Sequence, residues 1–352
     1  MSRGSRTGSF DSLLSGSQQT VPVSASGTTF SVTFNFTNAV IGAGIIGTAA
    51  AMADAGWFIA VVLLVCFAFM TKGSLDDIVE VQLGWNEGRI GKEENERGSL
   101  DYAVLEGEGE SGESNNNESL NVATLRSPIT SFETFGSVAY GKTGLAAVLI
   151  SKTMYSWGCL VAYIVVLKNN MPKGLQGLFG IKDGDEGWLA KFVLDTDLFT
   201  LFLAFLFVLP LCLFRKADRL AKFSFLSILA VAFITVIVVF EYIFNPNEIE
   251  IQFPKHGFVE DLFVVRIGVI ESLGTFVFAF VSQHCSHLAY DTLNDRSLEN
   301  WKKVTRNSVS IALTLVLVVG TMVYITFWDD TPSDMFVNYP DCREVDVARG
   351  KE

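Results

Sequence analysis

The sequence predicts an all-α integral membrane protein with about seven transmembrane helices, the first and the sixth of them interrupted. Three observations carry that expectation. Of the 352 residues 49% are hydrophobic and only 18% are charged, whereas a soluble chain runs near a quarter charged; the mean hydropathy is +0.37. Apolar runs approaching the roughly 20 residues needed to cross about 30 Å of hydrocarbon recur along the chain. Glycines and polar groups are concentrated in two of those runs.

In order, the runs cover approximately residues 32–52, 57–72, 145–167, 198–214, 223–244, 267–288 and 309–327. None alternates polar and apolar positions, so a β-barrel is not expected, and backbone groups without access to water must be satisfied within helices. Residues 31–327 therefore form the membrane domain. The Ser/Gly-rich stretch 1–30 has no apolar run behind Arg3 and Arg6, so it reads as a disordered tail and not as a signal peptide. Residues 90–125 read as a disordered acidic loop; nine acids from Glu93 to Glu118 face the single Arg97. Most of the formal charge of −12 sits there, and nothing resembles a polybasic nucleic-acid surface. Residues 328–352 form a polar tail.

Basic residues among the short loops set the orientation. Arg215, Lys216, Arg219 and Lys222 join the fourth and fifth runs, and Arg296, Lys302, Lys303 and Arg306 lead into the seventh. Both groups are expected on the cytosolic side. The acids Glu241, Glu248, Glu250, Glu260 and Asp261, then Asp329, Asp330 and Asp334, fall on the other side, with the polar tail 328–352. Counting back places the N-terminus and the acidic loop in the cytosol. A receptor of the seven-helix type would carry its N-terminus outside and both basic loops on the wrong face. No phosphate-binding loop, nucleophile elbow or zinc-protease motif occurs, so an enzyme is not expected. Four of five cysteines lie in apolar runs, which is no disulfide framework.

Gly42, Gly44 and Gly47 interrupt the first run, and each costs about 1 kcal/mol against alanine in a helix. Spacing alone leaves open a helix break or a small-residue packing face. The sixth run carries Gly268 and Gly274 ahead of a polar stretch, Ser282-Gln283-His284-Cys285-Ser286-His287. Two glycine-interrupted segments five helices apart point to an inverted-repeat transporter, in which half-helix ends and freed backbone groups hold substrate and ion. An amino acid, carrying a carboxylate and an ammonium, suits such a site.

The run TFNFTNAVIGAGIIG (residues 33–47) resembles the first-helix signature of the amino acid/auxin permease family, which includes sodium-coupled neutral and vacuolar amino-acid transporters. AFVSQHCSHLAYDTL (279–293) is similar to its sixth helix, and FETFGSVAYGKTG (132–144) followed by SWGCLVAYIVV (156–166) resembles its third. The resemblance implies a five-plus-five inverted repeat, of which this chain holds the first five helices and two of the second, as in a C-terminally truncated relative. It implies secondary active transport of amino acids, neutral ones above all, driven by Na⁺ or H⁺, with no cofactor, in the plasma membrane or a vacuolar or lysosomal membrane. A non-transporting amino-acid sensor or a defective relative is the alternative.

The resemblance also implies site residues. Asn38 is the position expected to coordinate the cation, its alternative being an amide bonded to a neighbouring helix. Backbone groups of Gly42, Ala43, Gly44 and Ile45 are expected to contact substrate, with Thr275, Phe278 and Ser282 opposite; Phe278 is either packing or a lid. His284 is expected to carry a proton or orient substrate, or else to bond a carbonyl. His284 and His287 are three apart, but without a third ligand a metal site is not expected. An epitope tag placed before Arg3 is expected to be reached by antibody only after the membrane is permeabilised; labelling of intact cells would reverse the orientation.

Overall fold

The computed structural model describes residues 27–42, 44–106, 128–179, 187, 191–193, 195–210, 221–244 and 257–335. Among them every regular element is helical. Two short helices, α1 (Thr29–Ile41) and α2 (Gly44–Ala55), are followed by α3 (Trp57–Glu106) and α4 (Phe132–Phe179). Then come α5 (Thr196–Leu203), which runs on through a π-turn over Ala204–Val208, and α6 (Ala221–Phe244). α7 (Phe258–Phe263) precedes the sixth apolar run, which forms α8 (Val269–Phe278), a 3₁₀ turn over Gln283–Cys285 and most of α9 (Ser286–Thr292). Last is α10 (Leu298–Phe327), closed by a 3₁₀ turn over Trp328–Asp330.

Four stretches are long and apolar enough to cross a membrane, Trp57–Gly88, Phe132–Gln176, Ser224–Phe244 and Leu298–Asp330; the pair α1 and α2, which meet at 49°, makes a fifth if counted as one broken span. The sequence predicted about seven. The sixth run differs because its helix stops at Ala279, so neither α8 nor α9 alone is long enough to span. The fourth run, expected over 198–214, is described only to residue 210, with a short apolar helix over Thr196–Leu206. In the other direction, α3 stays helical well past its apolar run and into the acidic segment, to Glu106. Residues 107–127 of that segment, the N-terminal stretch to residue 26 and the tail from 336 lie outside the described residues.

α10 is the centre of the packing. Trp301, Val304, Ala312, Val316, Val319, Val323 and Tyr324 are buried along it, a three-and-four spacing that keeps one face turned inward. Around it sit α1, α2, α3 and α6. Ser297 caps its first turn by accepting from Asn300 N–H (3.3 Å), and Trp301 packs its ring 5.4 Å from Phe36 of α1 and 5.9 Å from Tyr290 of α9. α6 shows the opposite pattern: Phe225, Leu229, Phe233, Phe240 and Phe244 are exposed at four- and seven-residue intervals, the surface a lipid-facing helix presents.

Polar groups in this apolar setting are satisfied in two ways. Threonine hydroxyls bond the carbonyl one turn back, as Thr33, Thr37, Thr48 and Thr326 do at 2.7 Å, which removes the cost of a hydroxyl in hydrocarbon. Between α3 and α10 runs a ladder of side-chain bonds. Trp301 Nε1 donates to Leu75 O (3.0 Å) and Thr305 Oγ1 to Asp76 Oδ1 (2.6 Å). Lys72 Nζ pairs with Asp76 Oδ2 at 2.7 Å, so the buried Asp76 carboxylate has a donor on each oxygen, the condition for keeping a buried charge.

α4 contains a fold-back. Tyr140 and Gly141 are non-helical, and Gly141 has φ +61°. A Cβ on Gly144 would lie 2.1 Å from Gly136 O, so only glycine lets residues 132–139 double back on the helix that follows. The arrangement brings Glu133 to within 2.5 Å of Lys152, giving a partner to a lysine that would otherwise lie well inside the span. At the base of the acidic segment, Asn86 Nδ2 donates to Ile129 O (3.2 Å) and its Oδ1 accepts from Ile129 N–H (3.0 Å).

Gly56 joins α2 to α3 with φ +91°, and a Cβ there would lie 1.9 Å from Val264 O. Nearby, Arg266 donates from its backbone N–H to Ala55 O (3.2 Å) and from its guanidinium to Ala53 O (2.7 Å), and pairs with Asp329. One arginine thus ties the ends of α2 and α10 to the start of α8. Gly56→Ala is expected to lower the unfolding free energy of the detergent-solubilised chain by about 2 kcal/mol or more, from left-handed strain plus the clash; an unchanged denaturation midpoint would contradict this close approach.

Candidate functional site

Both interruptions expected from sequence lie against each other. Gly42 ends α1 with φ +44° and ψ −162°, a conformation that glycine adopts without penalty. On the other side of the break, a Cβ on Gly44 would lie 2.7 Å from Ala279 Cα and 3.0 Å from Ala279 N, where α8 stops. One turn on, Gly47 faces Thr275, with 3.5 Å between its Cβ position and Thr275 Cγ2. α2 and α8 therefore run antiparallel in close contact. On its other face α2 meets α10, where a Cβ on Gly320 would crowd Met52 at 2.9 Å. The glycines of the first segment serve both purposes that spacing left open: Gly42 makes the break, and Gly44 and Gly47 make the close contact.

Beside this contact is a cavity of about 570 Å³. Gly44 and Gly47 of α2, Thr275 and Phe278 of α8, Gly158 and Asn169 of α4, and Ser333 and Asp334 after α10 line it. The first-turn N–H groups of α2 and the last-turn carbonyls of α1 border the break, and groups at those positions have no intrahelical partner. The Gly44 carbonyl is taken by Thr48 Oγ1 (2.7 Å). At the second break, Ala279 N–H bonds Thr275 O and Phe280 N–H bonds Val277 O, both at 3.0 Å, and Cys285 N–H bonds Ser282 O at 3.0 Å.

Of the residues named from sequence, Gly44, Thr275 and Phe278 line the cavity. Gly42 stands at the break with the Tyr163 hydroxyl 3.4 Å from its Cβ position. Ile45 is buried in the core cluster, and Ile46 and Gly47 take the lining positions instead. Ala43 lies outside the described residues. Asn38 is half-buried in the last turn of α1, and its amide makes no hydrogen bond among the described residues. Ser282 is fully buried in the gap after α8, and its Oγ has no hydrogen-bond partner among the described residues.

His284 is half-buried and packs against Tyr155 of α4, ring centres 5.1 Å apart; the same Tyr155 lies 6.1 Å from Phe278. Tyr155 Oη donates to Val281 O (3.2 Å), so α4 fastens the irregular backbone between α8 and α9. His287 points elsewhere: it is buried, with Nδ1 2.8 Å from Gln82 Oε1 of α3. His284 sits in the 3₁₀ turn and His287 in α9, and their contacts differ: a ring contact with Tyr155 for the first and a hydrogen bond to Gln82 for the second. Among the described residues no group of three or more His, Cys, Asp or Glu is gathered as metal ligands would be.

Sequence reasoning did not single out Tyr155, Asn169, Asn170 or Asp334. Two adjacent amides in an apolar helix, Asn169-Asn170 ahead of Pro172, were the available signal, because intramembrane amides usually bond across helices. Nothing local to Asp334 marks it.

The sequence profile of the family described as transmembrane amino acid transporter protein matches residues 25–107 and 115–348. The chain belongs to this family. Among similar transmembrane amino acid transporter proteins are relatives provisionally named sodium-coupled neutral amino acid transporter 11. That of Rattus norvegicus is 26% identical over 317 residues, covering 90% of this chain and 57% of the relative. That of Danio rerio is 28% identical over 320 residues, with 90% and 58% covered. The chain thus spans somewhat more than half the length of the curated relatives it matches. No solved structure matches it.

Proposed function

We propose that the chain is the substrate-holding part of a secondary active transporter of amino acids, with substrate bound where the first and sixth membrane segments are interrupted. The observation that carries the reading is the contact of Gly44 with Ala279 beside a cavity of about 570 Å³. Two breaks stacked in this way leave the start of α2 and the end of α8 next to one space, with the end of α1 across the break at Gly42. The N-terminal end of α2 carries positive partial charge and suits a carboxylate, while the carbonyl end of α1 suits an ammonium or a metal cation. Gly42, Ala43, Gly44 and Ile45 supply the backbone on one side, and Thr275, Phe278 and Ser282 on the other. His284, packed on Tyr155 beside the second break, is proposed to orient substrate or carry a proton.

Coupling to Na⁺ or H⁺ fits the same geometry, and Asn38, with an uncommitted amide in the last turn of α1, is the side chain proposed to meet Na⁺. A neutral amino acid is the proposed substrate, in keeping with the names of the relatives. The architecture proposed is the inverted repeat in which the α1–α2 segment and the α8–α9 segment occupy equivalent places. In that frame the N-terminus and the basic start of α10 face the cytosol.

Gly44→Val tests the reading. It is expected to abolish amino-acid uptake into proteoliposomes, and binding to the purified chain, while membrane insertion persists, because the bilayer accepts valine. Uptake or binding at the unsubstituted level would refute a site at the break. Asn38→Ala is expected to weaken the Na⁺ dependence of binding about tenfold with little change in membrane abundance, the size of one lost charge-assisted contact. Equal loss of both would assign Asn38 to folding.

A further inference from the structure

We propose that Gly158 and Gly274 set the size limit of the cavity, leaving room for amino acids with bulky apolar side chains such as leucine and phenylalanine. The inference rests on the transport reading above and deepens it by naming the class of neutral substrate and two residues that select it. The two glycines belong to different walls, Gly158 to α4 and Gly274 to α8, and both line the cavity. Each lies about one helical turn from the contact of Tyr155 with Phe278, whose ring centres are 6.1 Å apart. Nothing in the backbone requires glycine at either position. Both stand inside helices, where glycine weakens the segment relative to alanine, and neither has a positive φ. Packing does not require it either, because a Cβ at Gly158 or Gly274 meets no atom within 4 Å among the described residues. Gly44, on the same cavity, is the contrast: its Cβ would lie 2.7 Å from Ala279 Cα. A side chain at position 158 or 274 therefore extends into the cavity.

The neighbouring lining fixes the chemistry of the occupant. Along α4, Gly158, Ala162, Val165 and Val166 border the cavity at three- and four-residue intervals, which is one face of a helix. Of the α4 residues that line the cavity only Asn169, further along, is polar. Ile46 of α2 and Phe278 of α8 add apolar surface from the other walls. A volume of about 570 Å³ lies within the range of sites that take small organic ligands. In the transport reading the helix ends at the breaks hold the α-carboxylate and α-ammonium common to all amino acids. The apolar face is then left to the side chain, and the more of that side chain it buries, the tighter the binding.

The test measures equilibrium binding of radiolabelled alanine and of radiolabelled phenylalanine to the purified full chain. The unsubstituted chain is expected to bind phenylalanine about tenfold or more tightly than alanine, the order of effect for burying a large apolar side chain in place of a methyl group. Gly158→Leu and, separately, Gly274→Leu fill open space with a residue that favours helix. Each is expected to lower the ratio of phenylalanine to alanine affinity about tenfold or more. Gly158→Ala, a single methyl group, is expected to lower the ratio about threefold, and it decides the matter if the leucine variants bind neither amino acid. A preference of the unsubstituted chain for alanine, or a ratio unmoved by the substitutions, overturns the size limit while leaving the site intact. Failure of the folded, unsubstituted chain to bind either amino acid overturns the transport reading and the size limit with it.

Discussion

A backbone amide in hydrocarbon has no water to bond, and an unpaired one costs several kcal/mol. Both helix breaks in this chain must answer to that constraint, and the rest of the structure follows from how they do. Gly44 brings the start of α2 against Ala279 at the end of α8, so each break shields the other. Tyr155 reaches from α4 to the carbonyl of Val281, and Thr48 covers the carbonyl of Gly44. Gly44 at the start of α2 and Thr275 and Phe278 near the end of α8 border a cavity. Irregular backbone at membrane depth is tolerated only under such cover.

Holding two broken segments in place requires a rigid support, and α10 provides it. One face of α10 packs on α1 and α2, another on α3, and the α3 contact is polar as well as apolar. The bonds from Trp301 to Leu75 and from Thr305 to Asp76 fix the register between the two long helices, because sliding either one would strand a buried carboxylate. Near the other end of α10, Arg266 holds the ends of α2 and α10 to the start of α8. The breaks are thus suspended between two fastened ends.

The membrane class, the broken first segment and the interrupted sixth were legible because glycine and polar residues inside apolar runs carry an energetic cost that needs a reason. Gly42 and Gly44 could be named on that ground, and Thr275 and Phe278 on the resemblance alone. The extent of α3 could not, since hydropathy falls at Lys72 while helical hydrogen bonding continues; Asp76 and Gln82 look like surface residues until Thr305 and His287 are brought to them. The fold-back at Gly141 was hidden because Gly-Lys-Thr-Gly reads equally well as the entry to a helix. Asp334 was unreadable for a different reason: its place depends on a turn after α10 and on Asn170, a partner 164 positions away.

The pair of hydrogen bonds between Asn86 and the backbone of Ile129 has a consequence for how this chain can diverge. By clasping the point where α3 leaves the bundle to the point where the chain re-enters before α4, it fixes the separation of those two points whatever lies between them. Loop entropy grows only logarithmically, about 0.6 kcal/mol for each doubling of length. The acidic segment can therefore lengthen, shorten or change composition with little effect on the bundle, and evolution is free to rewrite it while Asn86 keeps the doorway shut.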